Sequence, residues 1–305
     1  MAELSYANNQ ELSEIRCDNI GSSESPALGG VTTWASPFSI YHAKKLRTPM
    51  DAPENDRMEA GKRLESAIAA WAADKGGFRL VKSQVYVTSD VVPKMGSTTD
   101  YFIEDPRRGD WGLLEVKNRD WLQWKQHWTD KKPPADTAWQ VQHQLACTGF
   151  KWAVIACLVG GNDLKLYQMA PVERAMTHIG ELVTEFWAGF DAGLEPPVEG
   201  YPCDLETLND LYATVERGEV KLVDDAELAE TIRMFDWARD EAGERKKTAD
   251  SCKAKILQVL GNAEILIAPT VQVRQSIDSR GARRLKVETD RPDHRSSPTS
   301  VLEAG

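Results

Sequence analysis

The sequence predicts an α/β protein with a central mixed β-sheet flanked by helices, followed by a helical C-terminal extension. Three observations carry this. Strand-length runs and helical patterns interleave between residues 57 and 193, the mark of helices packed on the faces of one sheet. "WAVIACLVGG", residues 152–161, is continuously apolar, as a strand covered on both faces must be. Around "AGLEPPVEGYPCD" the composition turns to Pro and Gly, and a charge-dense helical pattern follows over 223–260.

The elements follow in order. "SSESPALG" at 22–29 reads as a helix start and "SPFSIYHAKKL" as a second short helix. "RMEAGKRLESAIAAWAADKGG" places Leu64, Ile68, Trp71 and Ala72 at helical spacing and stops at Gly76-Gly77. Three β-like runs come next: "LVKSQVYVTS", "STTDYFI" and "WGLLEVKN", separated by turns at 93–96 and 106–109. Residues 121–136 read as a polar loop. "DTAWQVQHQLACTG" reads as a helix with Asp136 as N-cap and Gly149 as stop. "DLKLYQMA" alternates like a partner strand to 152–161, and 171–193 is helical. Beyond the long helix, "ILIAPTVQVRQSI" and "RRLKVET" read as a closing hairpin, and the last residues as a disordered tail.

Bulk properties narrow the function classes. The 305 residues, 41% hydrophobic, supply a full globular core. No run approaches a membrane span, and the N-terminus lacks the apolar stretch of a signal peptide, so a cytosolic protein is expected. Five well-separated cysteines without a CxxC pair argue against a disulfide framework or a zinc knuckle. The net charge of −10 argues against a surface that coats nucleic acid all round. Residues 107–132, however, hold seven basic and four acidic residues, a local +3.

That island surrounds "GLLEVK". Glu115 and Lys117 lie two apart on a strand, so they share a face. Asp100 lies in the preceding strand; if the two strands pair, an aspartate, a glutamate and a lysine meet at one point of the sheet. Two hard carboxylates suit Mg²⁺. A bound ion acidifies water and stabilises phosphate charge, and Lys117 would orient the water or stabilise the developing oxyanions. The bland alternatives are a surface ion pair for Glu115 and Lys117 and a turn-capping role for Asp100. Gln140 and Gln144 share a helix face at i, i+4, with Gln142 elsewhere. His143 reads as structural or surface. Trp121, Trp124 and Trp128 recur at three- and four-residue steps, which means either a packed helix face or a base-stacking surface.

Asp100 followed by "LLEVK" resembles the PD-(D/E)xK nuclease signature. The flanks resemble the YqaJ-like viral recombinase and lambda-exonuclease family. "MEAGKRLESAIAAWAADKGG" resembles the helix that precedes the signature, with Glu65 at the family's glutamate. "WQVQHQLACTGFKWAVIACLVGG" resembles its Q-x-Q-H helix and next strand, with Gln140 at the active-site glutamine. "RCDNIGSSESPALGG" resembles its R-x-x-x-I-x-x-S motif, with Arg16 and Ser23 at the residues that hold a DNA 5′-phosphate. One departure stands out. The family's Ser-Pro-Asp-Gly is Thr98-Thr99-Asp100-Tyr101 here, and Tyr101 is expected to leave less room beside the metal.

The resemblance implies a restriction-endonuclease-like exonuclease domain over 1–200, an extension over 201–286 and a tail over 287–305. It implies a Mg²⁺-dependent exonuclease, with Mn²⁺ able to substitute, that degrades the 5′ strand of linear duplex DNA and leaves 3′ overhangs. Asp100, Glu115 and the Val116 carbonyl would hold the metal. Lys117 would act on the water, with Glu65 and Gln140 in support, and Arg16 and Ser23 would bind the 5′-phosphate. Implied partners are duplex DNA ends, a single-strand annealing protein and further copies in a ring trimer or tetramer. A phage or prophage protein in a bacterial host fits this. An endonuclease of the same fold and a DNA-binding recombination scaffold are the rival readings.

Overall fold

The fold is that of a computed structural model, which describes residues 2–4, 6, 8–48, 55–278 and 281–289. A three-residue strand, β1 (Ala2–Leu4), precedes α1 (Asn9–Cys17), whose cap Asn8 accepts a hydrogen bond from the Glu11 amide. The single turn α2 (Ser25–Leu28) follows, and then α3 (Pro37–Leu46), closed at its start by a reciprocal Ser36/Ser39 capping box. Asn55 caps α4 (Asp56–Gly76), and Gly77 ends it in a left-handed conformation.

Strands β2 (Arg79–Thr88), β3 (Gly96–Asp105) and β4 (Asp110–Arg119) pair antiparallel in succession. Two helices follow, α5 (Trp121–His127) and α6 (Ala135–Thr148). They carry the chain over to β5 (Ala153–Val159), which pairs in parallel with β4, and β6 (Asp163–Met169) returns antiparallel. The sheet order is β1-β2-β3-β4-β5-β6. Helices α7 (Glu173–Asp191) and α8 (Pro202–Leu211) complete the first compact unit.

Alternation along the strands splits the core in two. On one face Ile68, Ala69 and Ala72 of α4 pack on Ile103, Leu114, Val154 and Ala156. On the other, Val141 and Leu145 of α6 and Val183 of α7 pack on Phe102, Leu113 and Ile155. All of β5 is buried, which is why it reads as one apolar run. Each large aliphatic or aromatic side chain buried this way stabilises the fold by roughly 1.5–3 kcal/mol.

Three expectations are corrected. Residues 121–136 are not all loop. Asp120 caps α5 through the Gln123 amide, and Trp124 and Trp128 of this segment pack inward. Asp136 is not the cap of α6; Pro134 holds that position, and Asp136 bonds the Thr137 amide inside the first turn. The C-terminal run from Ile265 is two strands rather than one, because Thr270, at φ 63°, turns the chain after Pro269.

The first unit ends at Val215 and the second starts at Glu216. Helix α8 stays with the first unit through the buried Asp204. Its carboxylate accepts the Ser36 hydroxyl and the amides of Glu199, Gly200 and Tyr201. The second unit holds the 35-residue helix α9 (Ala226–Leu260) and an antiparallel sheet of β7 (Ile265–Ala268), β8 (Val271–Ile277) and β9 (Arg283–Thr289). Leu260 and Val273 are its buried side chains among the described residues. The tail expected over 287–305 begins inside β9, and from residue 290 it lies outside the described residues.

Candidate active site

Antiparallel pairing of β3 and β4 sets Tyr101 opposite Leu114 and stops there. Beyond Leu114 the backbone of β4 has no ladder partner on the β3 side. The Val116 amide, which would be orphaned, instead donates to Asp100 Oδ2 at 2.7 Å. In an extended strand the N–H and C=O of one residue leave on the same side, so the Val116 carbonyl faces the Asp100 side as well. This divergence of two strands brings Asp100 against Glu115.

Glu115 is 3% exposed and held through both carboxylate oxygens. Its Oε1 accepts Lys117 Nζ at 2.6 Å and Gln140 Nε2 at 2.8 Å, and its Oε2 accepts Gln144 Nε2 at 2.7 Å. Lys117 also donates to Gln140 Oε1 at 3.0 Å. Two of its three ammonium hydrogens are thus placed and one remains for a ligand. The two glutamines reach Glu115 together because they stand one turn apart on α6. Gln144 is the residue that sequence reasoning undervalued. The i, i+4 spacing to Gln140 was the available signal.

Burial, and then the neighbouring Glu115, push the Asp100 carboxyl well above the usual carboxylate range, against the pull of Lys117 and the Val116 amide. Glu65, on α4, accepts Gln84 Nε2 at 2.8 Å. Burial raises its pKa most and Glu115 adds to this, while Gln84 and Lys117 oppose them.

The arrangement fits a hard divalent cation. Two carboxylates forced together are relieved by a positive charge between them. Three of the roughly four acceptor sites on Glu115 are taken, and Asp100 gives one to Val116. Among the described residues no group of three or more His, Cys, Asp or Glu side chains could hold a metal. An ion here would therefore draw on backbone carbonyl and water oxygens too, which Mg²⁺ favours.

Arg16, Ser23, Glu65, Asp100, Glu115, Val116, Lys117 and Gln140 all line one open cavity of about 940 Å³. Lys44, Arg57, Lys62 and Arg119 add positive charge to its wall. The Arg16–Ser23 loop is built on a buried ion pair. Lys44 Nζ binds both Glu24 oxygens at 2.7 and 2.8 Å and the carbonyls of Arg16 and Asn19 at 2.8 Å. Glu24 in turn accepts the Gly21 amide. Ser97, three residues before Asp100, donates to Ser22 Oγ at 2.7 Å, which ties the loop to the strand that carries Asp100.

Other readings are revised. Tyr101 packs into the α4 cluster and does not line the cavity, so it does not crowd the carboxylates. Trp124 and Trp128 pack against Tyr167, Trp124 through a hydrogen bond to its hydroxyl. Trp121 is exposed beneath Lys125. The tryptophan in the cavity wall is Trp34, which carries no motif. The basic island disperses: Lys117 and Arg119 reach the cavity, whereas Arg107 and Arg108 pair with Asp105. His143 is buried, and its Nε2–H donates to the Gly96 carbonyl at 3.0 Å. Gln142 clamps Ala170 and Val172.

Comparison with known proteins follows the same geometry. Residues 11–151 match the family model of the YqaJ-like viral recombinase domain. The matched residues run from α1 through α6 and include Arg16, Ser23, Glu65, Asp100, Glu115, Val116, Lys117, Gln140 and Gln144. The crystal structure of LHK-Exo in complex with dAMP is similar to the chain, with a TM-score of 0.50 and 18% identity over 67% of this chain and 98% of that one. A second structure, an alkaline exonuclease (LHK-Exo) from Laribacter hongkongensis, gives 0.49 and 17% over 61% and 95%. At such identity the first likeness establishes the α/β fold alone. Comparison with curated proteins gives no match. No helix among the described residues is long and apolar enough to cross a membrane.

Proposed function

We propose that the protein is a divalent-metal-dependent DNA exonuclease of the phage recombination type. It degrades the 5′ strand of linear duplex DNA and leaves a 3′ overhang for an annealing protein. The observation that carries this reading is the convergence of Asp100, Glu115 and Lys117 in one basic-rimmed cavity with Arg16 and Ser23. The YqaJ-like match and the exonuclease whose fold the domain shares support it.

In this reading Asp100, Glu115 and the Val116 carbonyl hold Mg²⁺, or Mn²⁺ in its place. When bound, the ion supplies charge neutralisation at the scissile phosphate and a more acidic water. Gln140 and Gln144 fix the Glu115 carboxylate through both oxygens. Lys117 directs its remaining N–H at the attacking water or at the phosphate oxygens, where negative charge builds in the transition state. Glu65 and Gln84 hold the cavity wall beside the carboxylates. Arg16 grips the terminal 5′-phosphate with its planar guanidinium, and Ser23 adds a hydroxyl. The Lys44–Glu24 pair sets the distance between that anchor and the cleaved bond.

The test is an end-labelled linear duplex incubated with and without Mg²⁺, with 5′-phosphoryl and 5′-hydroxyl ends compared. The reading expects Mg²⁺-dependent release of nucleotides from the 5′ strand, faster on phosphorylated ends, and no cutting of closed circles. Cleavage of closed circles would favour the endonuclease reading. A Glu115→Ala variant with full biological activity would favour the scaffold.

A further inference from the structure

The second unit carries a surface that the nuclease reading leaves unused. Helix α9 spans 35 residues, about 52 Å at 1.5 Å per residue. It exposes large apolar side chains, including Leu228 at 42%, Phe235 at 67% and Val259 at 72%. Helices in water draw most of their stability from burying an apolar face, and little of this one is covered by its own unit.

Part of this apolar surface follows a seven-residue repeat, while Ile232, Met234 and Trp237 are exposed outside it. Leu228, Phe235, Ala242, Ala249 and Ile256 recur at steps of seven, the a positions of a coiled coil. The matching d positions are Thr231, Ala238, Arg245, Cys252 and Val259. In an antiparallel pair, each a position meets a d position of the other helix. A single register then seats every layer at once: Leu228 against Val259, Phe235 against Cys252, Ala242 against Arg245, Ala249 against Ala238 and Ile256 against Thr231.

Charge selects the direction. The dyad of that register falls between Gly243 and Glu244. Residues 226–243 carry five acidic and two basic side chains, a net −3, and residues 244–260 carry five basic and two acidic, a net +3. Antiparallel pairing lays each acidic half on a basic half, whereas parallel pairing sets like on like. We infer that α9 is a self-association element that pairs antiparallel with α9 of a second copy of this chain, in the register that places Phe235 opposite Cys252.

Cys252 makes this testable, because the other four cysteines are buried. Positions 235 and 252 lie about 26 Å apart along one helix, far beyond disulfide reach, so a bond between them must join two chains. Full-length Phe235→Cys, treated with a mild oxidant, should run as a covalent dimer on a non-reducing gel. Wild type and the Phe235→Cys/Cys252→Ser double variant should remain single chains. Light scattering should give full-length Leu228→Glu/Phe235→Glu a smaller mass than wild type, with nuclease activity per chain unchanged. The inference is overturned if wild type crosslinks through Cys252, which marks parallel pairing. It is also overturned if Phe235→Cys fails to crosslink, or if the double glutamate variant keeps the wild-type mass. None of these readouts depends on the nuclease reading.

Discussion

Gln144→Met tests whether Glu115 is held from both sides. Methionine nearly matches glutamine in length but has no N–H to give. The carboxylate is 3% exposed, and Gln144 is the donor that the described residues supply to Oε2. Losing one hydrogen bond to a buried charge removes about 1.5–3 kcal/mol. A unit of this size shifts its Tm by about 2–4 °C per kcal/mol, so thermal unfolding should fall by roughly 3–12 °C. Gln140→Met is the internal control. It takes a donor from Oε1, where Lys117 remains at 2.6 Å, so its drop should be smaller. Loosening the carboxylate should also raise the Mg²⁺ concentration for half-maximal nuclease activity by roughly 10–100-fold. A Tm within 1 °C of wild type together with an unchanged Mg²⁺ dependence would refute the reasoning.

Two further outcomes follow from buried groups outside the carboxylate cluster. Burial lowers the His143 pKa from 6.5 to about 4, so between those values the unfolded chain binds a proton that the folded chain refuses. Stability should therefore fall as pH drops through that window, by up to ~3 kcal/mol. Urea midpoints at pH 7.5 and pH 5 should show less of this loss in His143→Gln. Lys44→Met strands the largely buried Glu24 carboxylate, whose side chain is 13% exposed, and should cost about 3 kcal/mol. It should also reduce the preference for 5′-phosphoryl over 5′-hydroxyl ends. Unchanged discrimination in a folded Lys44→Met protein would detach that ion pair from the anchor.

Much of the site is legible in the sequence because strands impose a fixed geometry. Two residues apart on β4 means one face, which brings Lys117 and Glu115 within reach of the 2.6 Å contact they make. The antiparallel β2–β3, β3–β4 and β5–β6 pairings and the parallel β4–β5 pairing arise from runs whose lengths and breaks are visible. Less legible is whatever depends on partners distant in the chain. Lys44 looks like a surface lysine at the end of α3, yet it is buried by Glu24 and two carbonyls. Asp204 looks like part of a linker, yet it fastens α8 to Ser36. Helix α5 has seven residues and none buried, too few turns for periodicity to register. Trp34 reaches the cavity wall from a loop that carries no pattern. Gln144 fell between the two cases: its helix face was readable, but its bond to Glu115 required knowing that α6 crosses the same end of β4.

The most direct measurement is the rate at which purified protein releases nucleotide from the 5′ strand of a linear duplex. Wild type should be compared with Asp100→Asn and Lys117→Ala at saturating Mg²⁺. Loss of either group should slow release by roughly 10²–10³-fold or more, with both variants still folded and still binding the duplex end. Wild-type rates from either variant would contradict the account.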